Sequence, residues 1–287
     1  GYPAAIASVD AQSCYDRIAH SIAAIACQRW DMDPRLTTTM FSTIQQMKFH
    51  LRTGFGDSEE WYGGNTEDLP MQGVCQGNGG GPALWCATSA PIVSLQHRLG
   101  NTSEIQGTMS QEGLSMVGFL FVDDTDLVVF AREDQDDPET IIQVLQERVR
   151  AWHGSLRATG GALRAEKCSW SIAAYHWKEG NPQYHSVDSL PGQISITDQH
   201  GQEVPLTRHE VSTAIKVVGV VQSLDGSMDG QLKELFERAT EMGLRIRESN
   251  ITRQTAWIGI LSLIWPSLRY CLPVTVFTQQ EGRRALT

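Results

Sequence analysis

The chain has 287 residues, 41% hydrophobic and 20% charged, with a formal net charge of −10 at pH 7. Those proportions describe an ordinary globular chain with enough residues for a real core, arranged as one large domain or two modest ones. The acidic balance argues against a surface that coats nucleic acid generally, while leaving room for a local basic groove.

The six cysteines, Cys14, Cys27, Cys75, Cys86, Cys168 and Cys271, form no CxxC pair, and the eight histidines show no HxxxH or HExxH spacing. A zinc motif or disulfide framework is thereby disfavoured, and reduced, buried thiols in an intracellular protein are expected. No apolar run approaches the ~20 residues of a membrane span and no signal peptide opens the chain. The expectation is a non-secreted, non-membrane protein, in nucleus or cytoplasm. Because Gly1 stands almost directly on the first functional strand, the chain reads as a fragment with a segment missing upstream.

Residues 4–9 form a short apolar strand candidate that ends on Asp10. Ile18, Ile22, Ile25 and Ala26 then recur at helical spacing. Asp33-Pro34 supplies an N-cap and a first-turn proline for a second helix, with Leu36, Met40, Ile44 and Met47 on one face. Residues 47–63 have the pattern of a hairpin turning through a glycine-rich stretch at 54–58. The run 71–82 contains Gly73, Gly77, Gly79, Gly80 and Gly81. Such a run lets backbone approach a phosphate, sugar or base pair, and equally suits a flexible loop. Gln76 lies in it just before an apolar helix that opens at Pro82 and runs to Leu99.

The stretch 118–130, GFLFVDDTDLVVF, holds two short apolar runs around Asp123, Asp124 and Asp126. It predicts a β-hairpin with carboxylates at its tip. Neighbouring carboxylates repel, and keeping them ionised beside buried strands is unfavourable unless a cation neutralises them. Mg²⁺ is the natural occupant. Taken alone, the same acids suit a solvated turn, since turns favour Asp. A third carboxylate ending another strand, Asp10, would complete a cage for two divalent ions if the strands lie side by side.

Asp137-Pro138 begins a third helix with Ile141, Ile142, Leu145, Val149, Trp152 and Leu156 inward, stopped by Gly160-Gly161. Lys167 follows on a short segment returning to the sheet. Residues 175–213 read as a turn-rich insertion with a candidate hairpin at 194–206, and 214–222 as one strand. The remainder is helical, with Leu232, Leu235, Phe236, Ala239, Met242 and Ile246 on one side. Asn250 is placed as the cap of a last helix that Pro266 breaks or kinks. Arg245, Arg247, Arg253 and Arg269 make this end locally basic, as a duplex-gripping module or simply as a solvated face.

The order of these pieces resembles the palm domain of reverse transcriptases, especially those of non-LTR retrotransposons and group II introns. The D-x4-[FY]-D motif is matched by Asp10, Tyr15 and Asp16, and GVxQGxxxxP by Gly73, Val74, Gln76, Gly77 and Pro82. [YF]-x-D-D is matched by Phe121, Val122, Asp123 and Asp124. Gly161, Leu163 and Lys167 match G-x-L-x-x-x-K, and Val218, Gly219 and Val220 a primer-grip-like [LV]-G-[VI]. Phe121 stands where Tyr is more usual, Arg164 where Asn is common, and Asn78-Gly-Gly-Gly81 replaces a more typical polar-Pro-apolar-Ser run.

The resemblance implies an α+β fold, a ferredoxin-like palm with an antiparallel sheet and helices on one face, followed by a helical thumb. It divides the chain into a palm core at 1–174, the insertion at 175–213, a primer-grip-like strand at 214–227 and a partial thumb at 228–287. It implies a retrotransposon-type, RNA-directed DNA polymerase. Asp10, Asp123, Asp124 and the Ala11 carbonyl would hold two Mg²⁺, with Mn²⁺ as substitute. Tyr15, Gln76, Gly77 and Phe121 would face the nucleotide, Lys167 the leaving pyrophosphate, and Val218 and Gly219 the primer. Asp16, capping the first helix, and Pro82 would be structural.

The implied partners are an RNA template, a DNA primer and dNTPs, with fingers missing upstream and an endonuclease or RNase H domain undetermined. Without the fingers the chain alone is expected to be weak or inactive. The alternatives are a degenerate remnant or palm scaffold that binds nucleic acid without catalysis, or an RNA-dependent RNA polymerase. The latter is disfavoured by Tyr15, Gln76-Gly77 and Val122 at its signature positions.

Overall fold

The structure, a computed structural model, describes residues 2–63, 72–74, 77, 79–107, 109, 112–131 and 137–278. It is a mixed α+β chain that divides into two compact units, Gly1–Arg208 and His209–Thr287. In chain order the first unit comprises β1 (Ala4–Asp10), α1 (His20–Arg29), α2 (Pro34–Gln45), β2 (Lys48–Thr53), β3 (Gly56–Gly63) and α3 (Gly81–Arg98). These are followed by β4 (Ser103–Gln106), β5 (Gly113–Met116), β6 (Gly118–Phe121), β7 (Asp124–Phe130), α4 (Pro138–Ala158) and β8 (Ser169–Ala173). Two hairpins, β9 (Tyr175–Lys178) with β10 (Asn181–Tyr184) and β11 (Ser195–Thr197) with β12 (Glu203–Pro205), precede the short β13 (Thr207–Arg208).

The main sheet has the order β13-β8-β1-β7-β6, with β1 at its centre and antiparallel to both neighbours. Along β1 burial alternates, with Ala5, Ala7 and Val9 buried and Ala4, Ile6, Ser8 and Asp10 half-buried. At β1 one face therefore supports helices while the other is half-covered, whereas the neighbouring β8 is buried on both faces. Helix α4 packs across β1 and β7. Its buried stripe contains Ile141, Ile142, Leu145, Val149, Trp152 and Leu156, as its periodicity predicts. Asp137 caps it by accepting the Thr140 N–H at 2.6 Å. Arg148 lies within the same stripe, 4% exposed, and donates to Ser103 Oγ at 2.8 Å, to the Thr102 carbonyl at 2.7 Å and to the Val128 carbonyl. The sequence reading passed over this buried charge, whose two terminal Nη groups are satisfied by these three acceptors.

Several expectations are corrected. Helix α1 buries His20, Ala23, Ala26 and Cys27, leaving Ile25 65% exposed. Helix α2 buries Thr37, Phe41 and Ile44, with Leu36 64% exposed and Met47 beyond its end. Ile18, Ala26 and Ile44 are buried as expected and Met40 packs against the core, whereas Ile25 and Leu36 face outward. The hairpin at 48–63 turns through Gly54-Phe55 alone. Within the stretch expected to be an insertion, Leu190, Ile194, Ile196 and Leu206 join the main core, and β13 pairs in parallel with β8.

In the second unit the expected single strand at 214–222 is a tight hairpin of β14 (Ile215–Val217) and β15 (Val220–Gln222). Its two-residue turn places Val218 at φ +48° and Gly219 at φ +82°, the left-handed pair such turns need. Helix α5 (Asp229–Glu248) half-buries the predicted row from Leu232 to Ile246, and the buried Gln231 accepts the Val221 N–H at 2.6 Å. The next helix, α6 (Arg253–Gly259), is capped by Thr252 rather than Asn250. It continues through a π-turn at Ile260–Ile264 into α7 (Trp265–Arg269). Pro266, which lacks an N–H, accounts for that widened turn. Contrary to the sequence expectation, Arg253–Val274 is by length and composition long and apolar enough to cross a membrane, with mean hydropathy 1.3 and 6% of that window buried.

The buried stripes predict the effect of truncation. Leu145→Ala, at a fully buried position, is expected to cost about 3 kcal/mol in urea unfolding. Leu36→Ala is expected to stay within about 0.5 kcal/mol; a cost comparable to that of Leu145→Ala would refute the placement of α2.

Candidate functional site

Strand pairing brings the acidic residues together. Asp10 ends β1 and is the direct partner of Asp124 at the start of β7, while Asp123 sits in the turn before it. Segment 162–168 closes over the end of β1: the Gln12 N–H donates to the Ala162 carbonyl at 2.8 Å, the Arg164 N–H to the Asp10 carbonyl at 3.0 Å, and Ala11 bridges Leu163. The Asp10 N–H points at Cys168 Sγ at 3.4 Å. Those bonds deliver Lys167, whose Nζ lies 3.4 Å from Asp10 Oδ2. A cleft of about 360 Å³ is lined by Asp10, Ala11, Tyr15, Phe121, Asp123, Asp124 and Lys167, together with Ser13, Cys14, Asp16, Val122 and Arg164.

The turn holding Asp123 is strained. Val122 has φ +57°, unfavourable for a β-branched residue and sustained only where surroundings over-determine it. The indole Nε1 of Trp85, on α3, donates to the Val122 carbonyl and fixes the turn.

Charge crowding registers in the titration of the cleft. The Asp124 carboxyl is held above its ordinary value of 3.8, first by burial and then by Asp123, Asp10 and Asp126, with Lys167 opposing. Burial, followed by Asp123, pushes the Cys14 thiol up to about 12. Tyr15 is raised by burial, then by Cys14 and Asp123. Asp126 is raised by burial, partly offset by the Ser8 hydroxyl donating at 2.5 Å.

Ionised carboxylates at the mouth of a cleft are hard oxygen donors of the kind Mg²⁺ takes, and their mutual repulsion is what a divalent cation relieves. The donor set therefore fits such an ion. As the side chains stand, no group of three or more His, Cys, Asp or Glu among the described residues is arranged to hold a metal. The countercharge at Asp10 comes from Lys167.

No family model matches the chain, and no curated protein matches it. Among solved structures, similarity is found to telomerase from Candida tropicalis in complex with a TWJ fragment of telomeric RNA. That match has a TM-score of 0.46 and 12% identity, covering 99% of this chain and 42% of the other. Apo telomerase of the same organism, truncated from its C-terminal domain, matches with TM-score 0.41 and 13% identity over 61% of this chain and 32% of that one. Telomerase from Candida albicans, also in complex with a TWJ fragment of telomeric RNA, gives TM-score 0.34 and 13% identity, covering 99% and 40%. The chain spans less than half the length of each. At such scores these are likenesses only, and the functional reading rests on the cleft.

The remaining candidates divide. The ring of Tyr15 lies against Gly81, where a Cβ would stand 3.5 Å from Tyr15 Cδ1. The glycine run begins docked on the turn Cys14–Arg17: the Val74 N–H donates to the Tyr15 carbonyl at 2.8 Å, and at Gly73, φ +81°, a Cβ would lie 2.5 Å from the Asp16 Cα. Gln76 falls outside the described residues. Gly77, at φ +89°, is exposed and does not line the cleft. Pro82 occupies the first turn of α3, which begins one residue earlier, at Gly81. Asp16 does not cap α1; Ala19 holds that position without a side-chain bond. Val218 and Gly219 form the hairpin tip of the second unit, where the Tyr270 hydroxyl donates to the Val218 carbonyl at 3.0 Å. Trp85 and Cys168 were missed. Neither carries a signal in sequence, since what each contributes is a contact with a residue far along the chain.

The titration of Asp124 has a stability consequence. A folded-state value raised above 3.8 means stability fully present below the unfolded pKa and lost as pH rises through the folded one. Because Asp124 is exposed and water screens the effect, Asp124→Asn should raise the melting temperature at pH 7 only slightly and leave it nearly unchanged near pH 3. A drop at pH 7 in the absence of divalent ions would contradict this.

Proposed function

We propose that the chain carries the catalytic palm of an RNA-directed DNA polymerase of retroelement type, with the helices after Met228 as part of a thumb. The observation that carries this reading is the facing pair Asp10 and Asp124, with Asp123 at the adjoining turn, in one cleft. Carboxylates from two strands far apart in sequence share an opening with an aromatic ring and a lysine, which a solvated acidic turn does not require.

Two Mg²⁺ ions, or Mn²⁺, held by Asp10, Asp123 and Asp124 with the Ala11 carbonyl, would supply activation of a primer 3′-hydroxyl and neutralisation of the triphosphate. The residues of the chain do the rest. Trp85 holds the Val122 carbonyl and so fixes Asp123 before any substrate arrives, the preorganisation on which phosphoryl transfer depends. Tyr15, whose ring lies against Gly81 and lines the same cleft, would exclude a 2′-hydroxyl on the sugar of a bound nucleotide. Lys167 Nζ exchanges its pairing with Asp10 for the leaving pyrophosphate, to which it gives charge or a proton. An RNA template, a DNA primer and dNTPs are the substrates of this reading, with the Val218-Gly219 hairpin supporting the primer.

A second reading, a palm kept as a nucleic-acid-binding scaffold, is favoured by one observation: the ammonium of Lys167 already neutralises Asp10, and no closed metal cage exists among the described residues. The two readings part on metal binding. Water-proton relaxation should report Mn²⁺ bound to the native chain and lost in Asp10→Asn and Asp123→Asn, but kept in Asp57→Asn, whose carboxylate is exposed and paired with Arg52. In primer extension on an RNA template with the upstream segment added back, Asp123→Asn should lower the rate by about 10³-fold or more, equivalent to roughly 4 kcal/mol. Unaltered Mn²⁺ binding in both variants would remove the polymerase reading. RNA binding with neither metal nor extension would establish the scaffold.

A further inference from the structure

Segment 162–168 has a second side. Behind it, a cleft of about 530 Å³ opens between the end of α4, the return through Gly160-Gly161 and the β11–β12 hairpin. Arg17, Arg157 and Arg164, from three separate segments, line it. In a chain of net charge −10, such convergence of guanidinium groups needs a cause.

Their partners do not supply one. Arg164 Nε reaches Glu166 Oε1 at 3.6 Å. Among the described residues, Arg17 Nη1 donates at 3.3 Å only to the neutral amide oxygen of Gln12, and its Nε is buried without a hydrogen-bond partner. Arg157 is exposed and makes no ion pair among the described residues. Of the acids on the wall, Glu166 is engaged with Arg164. Asp198 Oδ1 accepts the N–H groups of His200 and Gln202, each at 2.8 Å, within its own turn. His153, lowered by burial and by Arg157, is neutral at pH 7. The C-terminal dipole of α4 suits Arg157 but leaves the Arg17 guanidinium unexplained. A buried donor without an acceptor is costly.

We propose that this cleft is an anion site that takes a phosphoryl group, gripped by Arg17 and Arg157 with Arg164 at its rim. Planar guanidinium forks match phosphate oxygens bidentately, and two of them without carboxylates leave more donors than a single carboxylate ligand can use. Such a group can come from a free polyphosphate or from the backbone of a nucleic-acid strand. The inference stands apart from the polymerase reading, because neither Asp123 nor Asp124 lines this cleft.

The test is titration of the full chain with pyrophosphate by calorimetry and with a labelled single-stranded RNA octamer by anisotropy. Arg157→Gln and Arg17→Gln should each weaken binding of at least one probe by about tenfold, the value of one charge-assisted contact. Glu166→Gln, which frees Arg164, should tighten it. Arg35→Gln, at an exposed arginine paired with Asp33, should change nothing. Because Arg157 is exposed, its variant should melt as the native chain does, so a null result cannot be blamed on misfolding. Arginine-dependent binding of pyrophosphate that RNA does not displace identifies a polyphosphate, and the converse identifies a strand backbone. Affinities in Arg157→Gln and Arg17→Gln within about twofold of native would overturn the proposal. Loss of binding in Asp123→Asn would also overturn it, by moving the anion to the carboxylate cleft.

Discussion

The register between β1 and β7 is the constraint on which the rest depends. Ala5, Ala7 and Val9 pair with Val129, Leu127 and Thr125 on the helix-covered face. A slip of one residue would turn every one of those side chains outward. Burying a Leu or Val is worth about 1.5–3 kcal/mol, so the row of apolar pairs fixes the register firmly. The same pairing, read on the opposite face, sets Ser8 against Asp126 and Asp10 against Asp124. Two partly solvated carboxylates a few ångströms apart repel by about 1–4 kcal/mol, less than the apolar row supplies. Repulsion is therefore tolerated at the cleft because packing on the other side of the sheet leaves the carboxylates no alternative.

What could be read from sequence follows from this division of labour. Strong periodicity gave β1, the acidic hairpin and the inward row of α4, because those elements bury a continuous apolar face. The candidate carboxylates were legible because strand ends can be located from such runs, and their meeting required only that the strands be neighbours. The buried rows of α1 and α2 were misjudged where a small or polar residue, Ala23 or Thr37, faces the core while Ile25 or Leu36 lies outside. Helical period alone cannot rank adjacent rows of similar hydrophobicity. The 214–222 segment was taken for one strand because Val218 does not advertise a left-handed turn, and only Gly219 hinted at one.

Contacts between distant residues were illegible for a different reason. Nothing around Trp85 or Val122 announces that an indole will hold a carbonyl 37 positions away. That bond nonetheless keeps a β-branched residue in a conformation it disfavours, and so decides where Asp123 stands. The ion pair of Lys167 with Asp10 likewise depends on segment 162–168 being laced to the end of β1 by backbone bonds. The first hangs on one indole meeting one distant carbonyl, and the second on main-chain bonds that are independent of side-chain identity; neither leaves a trace in composition.

Segment 162–168 also explains how a net-acidic chain can keep opposite charges apart. Gly160, at φ +94°, sits so close to the Arg17 carbonyl that a Cβ would lie 2.7 Å from it, and this close approach brings the end of α4 against the turn after β1. The chain then runs back along β1, with carboxylates on one side and arginines on the other, and Arg164 lines both clefts. At a Debye length of about 8 Å in physiological salt, opposite fields on the two sides of one segment persist only if each is sheltered in its own concavity. A backbone segment thin enough to be shared, and tied at both ends, meets that condition, which is why Gly160 and Gly161, packed too closely on Arg17 and Leu156 to admit a Cβ, matter to its placement.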